Sequence, residues 1–497
     1  MRAITLSMLA TSLLLVGTNA HALKTEKRDL ANNMKVKYNV LPKDASNLQE
    51  MFTNGEFYGR LRSNMFVWDW DHSKANSTEN NRAWGVGGSF IYKTAHLYGL
   101  GATVGFYTTQ TIGTDNTDPR YPGKDFGKAG KDTYSRADGS GSQITVIAQA
   151  YLEYKLAKSS LKYGRQGFDS KLLATNDTKM IPNTFMGTSL VVKDIPDTKL
   201  RAAYFTQQKL RDHREFHSVI AYDGWNENDD AGVHKGMTIA NITSHGANIN
   251  PGMLVLTGTN KSIKNLKIDV DYMYLADFVS SIIPEVNYKI PFGSSGWSLT
   301  PGARYFKQFD NGGGAIGGAA LSGKLAGKTG SQMGYKDANS VEGSMWAARL
   351  VLAQKAFKFS AGYSAVGNEA DLIAPWRGFP TGGYTRSMAQ YNWEANTKSW
   401  MLKAYYDFGK ANIIPGFRTS LDYASMDYDN DKLRLGSISK TDRSILHLDM
   451  WQTFSSVKNL ELKLRAARVF AEGNEYSTDT MDYTSYTEGR FEVNYLF

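Results

Sequence analysis

The sequence predicts an all-β protein, a transmembrane antiparallel β-barrel of about 18 strands with an inward-folded third loop. Three observations support this fold class. Segments of about 9–11 residues or more, the length that a tilted strand needs to cross a membrane, alternate between apolar and polar side chains. Short breaks and long polar stretches alternate between these segments. The last segment alternates strictly and ends in phenylalanine.

The composition suits this fold class and excludes several others. The chain contains 28 Tyr, 23 Phe, 10 Trp and 47 Gly, which is typical of β architecture. A mean hydropathy of −0.41, with no apolar run long enough in the mature chain, excludes a helical membrane bundle. Because there is no cysteine, an exported chain must be held by another device, such as a closed hydrogen-bond ladder. The net charge of +9 suits nucleic acid, anionic lipid or an anionic solute, and export argues against nucleic acid.

The first residues, 1–22, predict a cleaved signal peptide. Arg2 supplies the positive start, and residues 6–16 form an apolar centre that is too short to span a membrane. Residues 20–22 read Ala-His-Ala, a typical cleavage site. Together with the barrel, this predicts export to the outer membrane of a Gram-negative cell.

Two regions follow the signal peptide. Residues 23–53 are charged and irregular, and predict an N-terminal periplasmic segment with a possible short helix at 45–52. The pattern changes at residue 54, because residues 55–68 alternate for a full crossing length. The barrel is therefore predicted to occupy residues 54–497.

The breaks between alternating segments predict the topology of the barrel. Short breaks fall near residues 95, 158, 194–197, 262, 292–296, 355, 409 and 455–456. The longer polar stretches, of which only the fifth is short, are 71–81, 111–141, 167–187, 209–250, 278–281, 310–341, 367–396, 427–442 and 472–484. Short periplasmic turns and long external loops are the rule in outer-membrane barrels, and an even strand count places both termini on the periplasmic side.

The stretch 209–250 is the least regular part of this topology. Residues 218–222 and 237–243 are apolar enough to add strands, but we interpret the whole stretch as one long loop with local structure.

The last strand, residues 485–497, alternates between two kinds of side chain. Gly489, Phe491, Val493, Tyr495 and Phe497 share one face, and Arg490, Glu492 and Asn494 share the other. A soluble edge strand of this kind would leave an apolar row exposed, which is unfavourable. The strand therefore indicates an outer-membrane barrel.

The strand register predicts which charged side chains face the lumen, because the lipid face of a wide barrel is apolar and the lumen face is polar. The predicted inward basic residues are Arg60, Arg62, Arg201, Arg304, Arg349, Arg418, Arg443, Lys463 and Arg465. Guanidinium groups on many strands would lower the energy of an anion in the pore and pair well with carboxylates. Each arginine taken alone could equally pair with an acid in the lumen and stiffen the wall.

The third long loop, 167–187, carries apolar residues that need burial, among them Leu172, Leu173 and Phe185. A long loop that is anchored by its own apolar side chains more often has a function than serves only as a connection. We therefore expect it to fold into the barrel and set the size and charge of the pore. The polar residues proposed for this constriction are Asp169, Lys171, Asn176, Asp177 and Lys179.

Two stretches resemble the OprD-type porins, a family of outer-membrane carboxylate channels. One is KYGRQ at 162–166 with the loop that follows it to residue 185, and the other is the first strand with the hairpin at 92–107, which looks like members from epsilonproteobacteria. The resemblance covers most of the mature chain in layout and is specific only around 161–205. It implies an eighteen-stranded monomeric barrel, an inward third loop, an arginine ladder and diffusion of small carboxylate-bearing nutrients, amino acids or peptides. The constriction residues of the family map only onto this loop and, in part, onto Arg60 and Arg62.

Other motifs and functions are weaker. Residues 323–329 have the wrong glycine spacing for a phosphate loop, and the acids at 427–431 lack the glycine and glutamate of an EF-hand. No catalytic, metal or cofactor site is predicted. The expected partners are small solutes, outer-membrane lipid and lipopolysaccharide, with no nucleic acid, and the chain is expected to be a monomer or loose trimer. The alternatives are a barrel enzyme of protease or lipase type and a secreted β-protein such as a lectin.

Overall fold

The computed structural model describes residues 28–30, 36–38, 44–71, 80–114, 143–211, 213–221, 238–321, 327, 334–388, 390–432, 441–472 and 485–497. The predicted signal peptide lies outside these residues, as do most of the predicted loop at 111–141 and of the glycine-rich stretch at 323–329.

Alternating β-branched, aromatic and polar residues form strands along most of the chain, because one row of side chains can face lipid and the other the interior. The strands of the first half are β1 (Arg28–Leu30), β2 (Val36–Tyr38), β3 (Glu56–Trp70), β4 (Asn80–Lys93), β5 (Leu100–Thr114), β6 (Gln143–Leu156), β7 (Ser159–Gln166), β8 (Thr184–Val192), β9 (Thr198–Lys209), β10 (His217–Ser218) and β11 (Met253–Asn260). Those of the second half are β12 (Leu266–Leu275), β13 (Val279–Tyr288), β14 (Ile290–Phe292), β15 (Trp297–Asp310), β16 (Gly343–Gln354), β17 (Phe357–Val366), β18 (Lys398–Asp407), β19 (Phe417–Asp427), β20 (Arg443–Thr453), β21 (Leu460–Ala471) and β22 (Tyr486–Leu496). The helices are α1 (Leu48–Thr53), α2 (Ile239–Ser244) and α3 (Gly313–Gly317).

Eighteen of the described strands form one closed antiparallel barrel, which confirms the predicted fold class. They are β3–β9, β11–β13 and β15–β22. The last strand, β22, pairs with β3, so that Phe491 lies opposite Met65. The short β10 and β14 only extend the edges, where they pair with the ends of β9 and β15. Closure leaves the sheet without a free edge, which suits a cysteine-free chain in lipid.

Within the described residues, the predicted turns and loops overlap the breaks between strands, but the fifth predicted loop, 278–281, is displaced, because β13 begins at Val279 and the break lies at 276–278. Only Ala157 and Lys158 separate β6 from β7, for example, and Ala157 adopts φ 51°, a conformation that such a tight turn requires. In the irregular fourth loop, β10 takes up part of the predicted strand at 218–222, and α2 occupies most of the apolar run at 237–243. Neither adds a strand that crosses the membrane, and residues 222–237 lie outside the described part of the chain.

Side chains on the wall alternate between lipid and lumen. On β20, for instance, Leu446 is 44% exposed on the outer face, while His447 and Asp449 are buried on the inner face. The described residues contain no helix that is both long and apolar enough to cross a membrane.

The main hydrophobic core lies inside the barrel and is built largely by loops that fold inward. It contains Phe168, Leu172, Leu173 and Trp376, packed against wall residues such as Phe205. Full burial of one such large apolar side chain stabilises a fold by about 1.5–3 kcal/mol. These loops are therefore fixed parts of the barrel rather than loose external segments.

The predicted helix at 45–52 is found as α1, at residues 48–53. The Asn47 side chain accepts a hydrogen bond from the Glu50 backbone N–H at 2.9 Å, and the Glu50 carboxylate accepts one from the Ser46 backbone N–H at 2.9 Å. This reciprocal pattern caps the helix. The hydrogen bonds from the Ser46 backbone and side chain lower the pKa of the Glu50 carboxyl.

Candidate functional site: a cationic cavity between two inward loops

The third long loop, residues 167–183 between β7 and β8 (loop 3), folds into the lumen, as predicted. Arg60 donates to Asp177 Oδ2 at 2.7 Å, and Arg62 donates to the Asp177 carbonyl at 2.6 Å. Two residues after Arg62 on β3, the Asn64 side chain donates to the Lys179 carbonyl at 3.0 Å. Three successive lumen-facing positions of one strand therefore hold the centre of loop 3 against the wall.

Other polar residues of loop 3 fix its shape and its far side. Asp169 accepts a hydrogen bond from the Thr175 backbone N–H at 2.9 Å, and Asn176 accepts one from the Thr178 N–H at 3.0 Å. Lys171 forms an ion pair with Glu285 of the opposite wall at 3.0 Å. The loop is thus tied at both ends of its path across the barrel.

A second inward loop, which the sequence analysis did not identify, meets loop 3. It comprises residues 367–397 between β17 and β18, and is called loop 7 here because it is the seventh long loop of the chain. The Ala174 N–H donates to the Trp376 carbonyl at 2.9 Å, and the Gly378 N–H donates to the Leu172 carbonyl at 2.8 Å. These backbone hydrogen bonds join the two loops across the lumen.

Loop 7 is anchored to the wall by two arginines that the register had placed in the lumen. Arg304 donates to the Pro380 carbonyl at 2.6 Å, and Arg349 donates to the Gly383 carbonyl at 2.9 Å. Both guanidinium groups lie 4.7 Å from the centre of the Tyr384 ring, where cation–π attraction adds to the hydrogen bonds. Arg304 and Arg349 therefore act here as loop anchors.

Gly378→Ala is expected to raise the single-channel conductance by separating loop 7 from loop 3. A Cβ at position 378 would lie 2.2 Å from the Leu172 carbonyl carbon, which is backbone and cannot rotate away. The matched control is Gly258→Ala, because a Cβ there meets only Leu200 Cδ2 at 3.6 Å. Planar-bilayer recording of both folded variants checks the prediction. Equal conductance of Gly378→Ala and the parent would show that this contact does not limit the pore.

A cavity of about 260 Å³ remains between the two loops and the wall formed by β18–β22 and β3. Among the described residues that line it, basic side chains outnumber acidic ones by eight to two. The basic residues are Lys179, Arg211, Arg377, Arg386, Lys403, Lys463, Arg465 and Arg490. The acids are Asp422 and Asp449, and His447 lies between them.

Most of the acidic charge in the cavity is already neutralised. Arg465 donates to both carboxylate oxygens of Asp449, at 2.7 and 3.1 Å. Lys403 lies 3.2 Å from Oδ2 of Asp422, the second acid, which also contacts His447. Arg490 pairs with Glu488, which is not among the lining residues, and the excess of basic over acidic side chains in the lining gives the cavity a net positive potential.

Arg386 of loop 7 is the clearest site for an incoming anion. Its guanidinium stacks on the Phe379 ring at 3.5 Å, and no carboxylate lies within ion-pair distance of it among the residues that the structure describes. Burial, with the nearby charges of Arg211 and Arg465, lowers its pKa to about 10, so it stays charged at neutral pH. A planar guanidinium held in this way presents paired donors that fit a carboxylate.

One arrangement in the cavity bears on the enzyme alternative. The Ser387 hydroxyl donates to Asp422, and His447 Nδ1 lies 3.0 Å from the same carboxylate. A hydrolytic triad needs the serine hydroxyl to donate to the imidazole instead. In addition, the described residues contain no group of three or more acids and histidines arranged to hold a metal ion.

The structure distributes the nine predicted basic residues over three settings. Lys463 and Arg465 line the cavity, together with Lys179 and Asn176 of loop 3. Arg60, Arg62, Arg304 and Arg349 hold the loops instead. Arg443 also reaches a loop, because it donates to Gln390 of loop 7 at 3.4 Å. The remaining two bond to the wall: Arg201 to Thr257 at 2.8 Å and Arg418 to Glu461 at 2.8 Å.

The sequence analysis missed five basic residues of the cavity, namely Arg211, Arg377, Arg386, Lys403 and Arg490. Arg490 stands on the polar face of the last strand, so the register rule was the available signal for it. Arg211, Arg377 and Arg386 could be placed only from the folds of the fourth loop and of loop 7. Lys403 lies on β18, and the register does not show how far along the barrel axis a strand residue lies. The apolar content of loop 7, which includes Leu372, Ile373 and Trp376, was the available signal, since the same reasoning had identified loop 3.

Comparison with known proteins identifies the family. A family model described as outer membrane porin, OprD family, matches residues 123–495, which is more than half of the chain. The chain belongs to the OprD family of outer membrane porins. Such porins form channels in the outer membrane of Gram-negative bacteria, so the comparisons give no support to the enzyme alternative. No curated protein matches this chain.

Solved structures show the same fold as this porin. OccAB3 from Acinetobacter baumannii is 16% identical with a TM-score of 0.69, and OccK1 (OpdK) from Pseudomonas aeruginosa is 13% identical with a TM-score of 0.66. Each comparison covers 90% of this chain and 99% of the other. The closed barrel of eighteen strands is therefore the fold of these porins too.

Proposed function

We propose that this porin is a diffusion channel that prefers small anionic solutes, above all carboxylates, and that the cavity between loops 3 and 7 is its selective element. The observation that carries the proposal is Arg386, a half-buried guanidinium on an inward loop, facing a cavity in which basic groups outnumber acids. A fixed cation in a confined, partly desolvated space attracts an anion more strongly than the same cation in water.

The walls of the cavity suggest the kind of carboxylate. Phe66, Trp68, Phe379, Met388 and Tyr391 supply apolar and aromatic surface beside the basic groups. A solute with a compact apolar body and one or two carboxylates would satisfy both parts of this lining. One structure of similar fold, OpdK from Pseudomonas aeruginosa, was crystallised with vanillate.

The remaining features of the proposal concern the setting of the channel. We infer that residues 1–22 are removed on export, and that residues 23–53 stay on the periplasmic side. Outer-membrane lipid and lipopolysaccharide surround the barrel, which acts as a monomer or loose trimer. The proposal needs no cofactor, catalytic residue or metal.

Liposome swelling tests this function directly. The mature protein is reconstituted, and swelling rates are compared for benzoate, succinate, glucose and ethanolammonium, with protein-free liposomes as the control. Carboxylates are expected to enter faster than the neutral sugar, and the cation slowest, because the cavity is cationic. Rates that depend on solute size alone would refute the proposed preference, while leaving the porin assignment intact.

A further inference from the structure

The short helix α1 lies on the outer side of the barrel wall, at the end that carries the short turns. Tyr92 shares the lipid-facing row of β4 with Trp84 and Phe90, and its hydroxyl donates to the Phe52 carbonyl of α1. Gly55 makes this approach possible, because a Cβ there would overlap the Tyr92 ring. Since Tyr92 faces outward, the helix that it holds lies beside the wall rather than in the lumen.

One side of α1 is fixed to the barrel. Met51 is 8% exposed and packs with Ala45 and Ala95 in a small hydrophobic cluster. The Ala95 N–H donates to the Met51 carbonyl at 2.9 Å, and the Ala45 N–H donates to the His96 carbonyl at 2.8 Å. The turn between β4 and β5 and the start of the described N-terminal segment therefore hold α1 in one orientation.

The adjoining side of α1 is apolar and exposed. Leu48 is 63% exposed and Phe52 is 54% exposed, and because they are four residues apart they share one face of the helix. Tyr98, at the tip of the turn between β4 and β5, is 83% exposed. Exposed apolar groups that cluster on a fixed element mark a contact surface.

This face continues the lipid-facing belt of the barrel. Phe57, the second residue of β3, is exposed, and its ring lies 6.1 Å from that of Phe90 and 5.9 Å from that of the terminal Phe497. Only four residues lie between Phe52 and Phe57 along the chain. Aromatic side chains near the strand ends of a barrel form a girdle that marks the membrane–water interface.

We propose that α1 and the tip of the β4–β5 turn dip into the inner leaflet of the outer membrane, with Leu48, Phe52 and Tyr98 among the phospholipid glycerol and upper acyl groups. The partner is a phospholipid monolayer, because the surface extends the lipid-facing belt. Polar residues on the other side of the helix, Glu50 and Thr53, face water. Short amphipathic helices bind membrane interfaces in this way.

The natural chain contains no cysteine, so single-cysteine labelling tests the proposal cleanly. Leu48→Cys, Phe52→Cys and Thr53→Cys are each labelled with a small fluorophore in the full mature protein and reconstituted into liposomes. Thr53→Cys is the matched control, since it is exposed on the same helix but is neither three nor four residues from Leu48 or Phe52, and so lies off the apolar face. Unchanged channel conductance confirms that each variant is folded.

Quenching by lipids that carry a nitroxide below the headgroup is expected to be several-fold stronger at positions 48 and 52 than at 53. Quenching by aqueous iodide is expected to show the reverse order. Equal iodide access at all three positions would overturn the proposal. Protection from both quenchers at 48 and 52 would also overturn it, because another part of the protein would then cover this face.

Discussion

Removal of residues 170–182 is expected to raise the single-channel conductance several-fold. This deletion takes out the part of loop 3 that crosses the lumen and its contacts with loop 7, and leaves only four residues between β7 and β8. A loop of that length closes a hairpin without disturbing the register of its strands. Bilayer conductance of the refolded variant checks the expectation.

A paired variant separates the loop from its anchors. Arg60→Ala with Arg62→Ala leaves the loop sequence intact but removes its bonds to Asp177 and Thr178, and should also raise conductance. The control is Arg468→Ala, because this strand arginine pairs with Asp71 and does not contact loop 3. If the deletion leaves conductance equal to that of the parent, loop 3 is not the constriction.

The variant Arg60→Ala with Arg62→Ala is expected to be less stable than the parent, so its free energy of unfolding must be measured together with its conductance. Asp177 and Glu492 are both buried and pair with the two arginines. Removing one partner of a buried ion pair typically destabilises a protein by about 3–5 kcal/mol. The deletion instead removes Asp177 and leaves Arg60 without this partner, in a lumen that loss of the loop opens to water. The two variants therefore strain different groups, and agreement between them would assign the change in conductance to loop 3.

Arg386→Gln is expected to lower carboxylate binding in the pore about tenfold, because a hydrogen bond to a charged group contributes about 1.5–3 kcal/mol and each 1.4 kcal/mol is about tenfold in affinity. Block of chloride current by added succinate gives the affinity. The same variant should move the reversal potential toward that of a non-selective pore, since one fixed cation is lost.

Two further variants show whether charge or shape matters at this position. Arg386→Lys keeps the charge but loses the planar pair of donors, so we expect it to retain most of the anion selectivity and to bind carboxylates more weakly. Lys410→Gln removes one charge from an exposed turn, and should change neither quantity. Undiminished succinate block in Arg386→Gln would show that the anion binds elsewhere.

The strand order, the turns and the inner face of the wall could be predicted from the sequence because each depends on local periodicity. A period of two assigns the residues of a regular strand to lipid or lumen once a single apolar row is recognised, and it fails only where a bulge shifts the register, as between β4 and β5 near Gly85. The positions of Leu446, His447 and Asp449 on β20 follow from this rule alone. Short turns and long loops add the direction of each strand.

The contacts inside the barrel could not be predicted in the same way. Register shows that Arg304 faces the lumen, but not that it meets the Pro380 carbonyl, which lies 76 residues further along the chain. Arg60 and Arg62 likewise reach loop 3 more than 100 residues away. Such long-range partners depend on how the loops pack, and the packing has no sequence period.

The reversal potential of the unmodified channel in a potassium chloride gradient tests the central claim most directly. A cationic cavity between loops 3 and 7 predicts that chloride carries most of the current, so that the potential takes the sign of an anion-selective pore. A potential of zero, or one with the sign of potassium selectivity, would contradict the account.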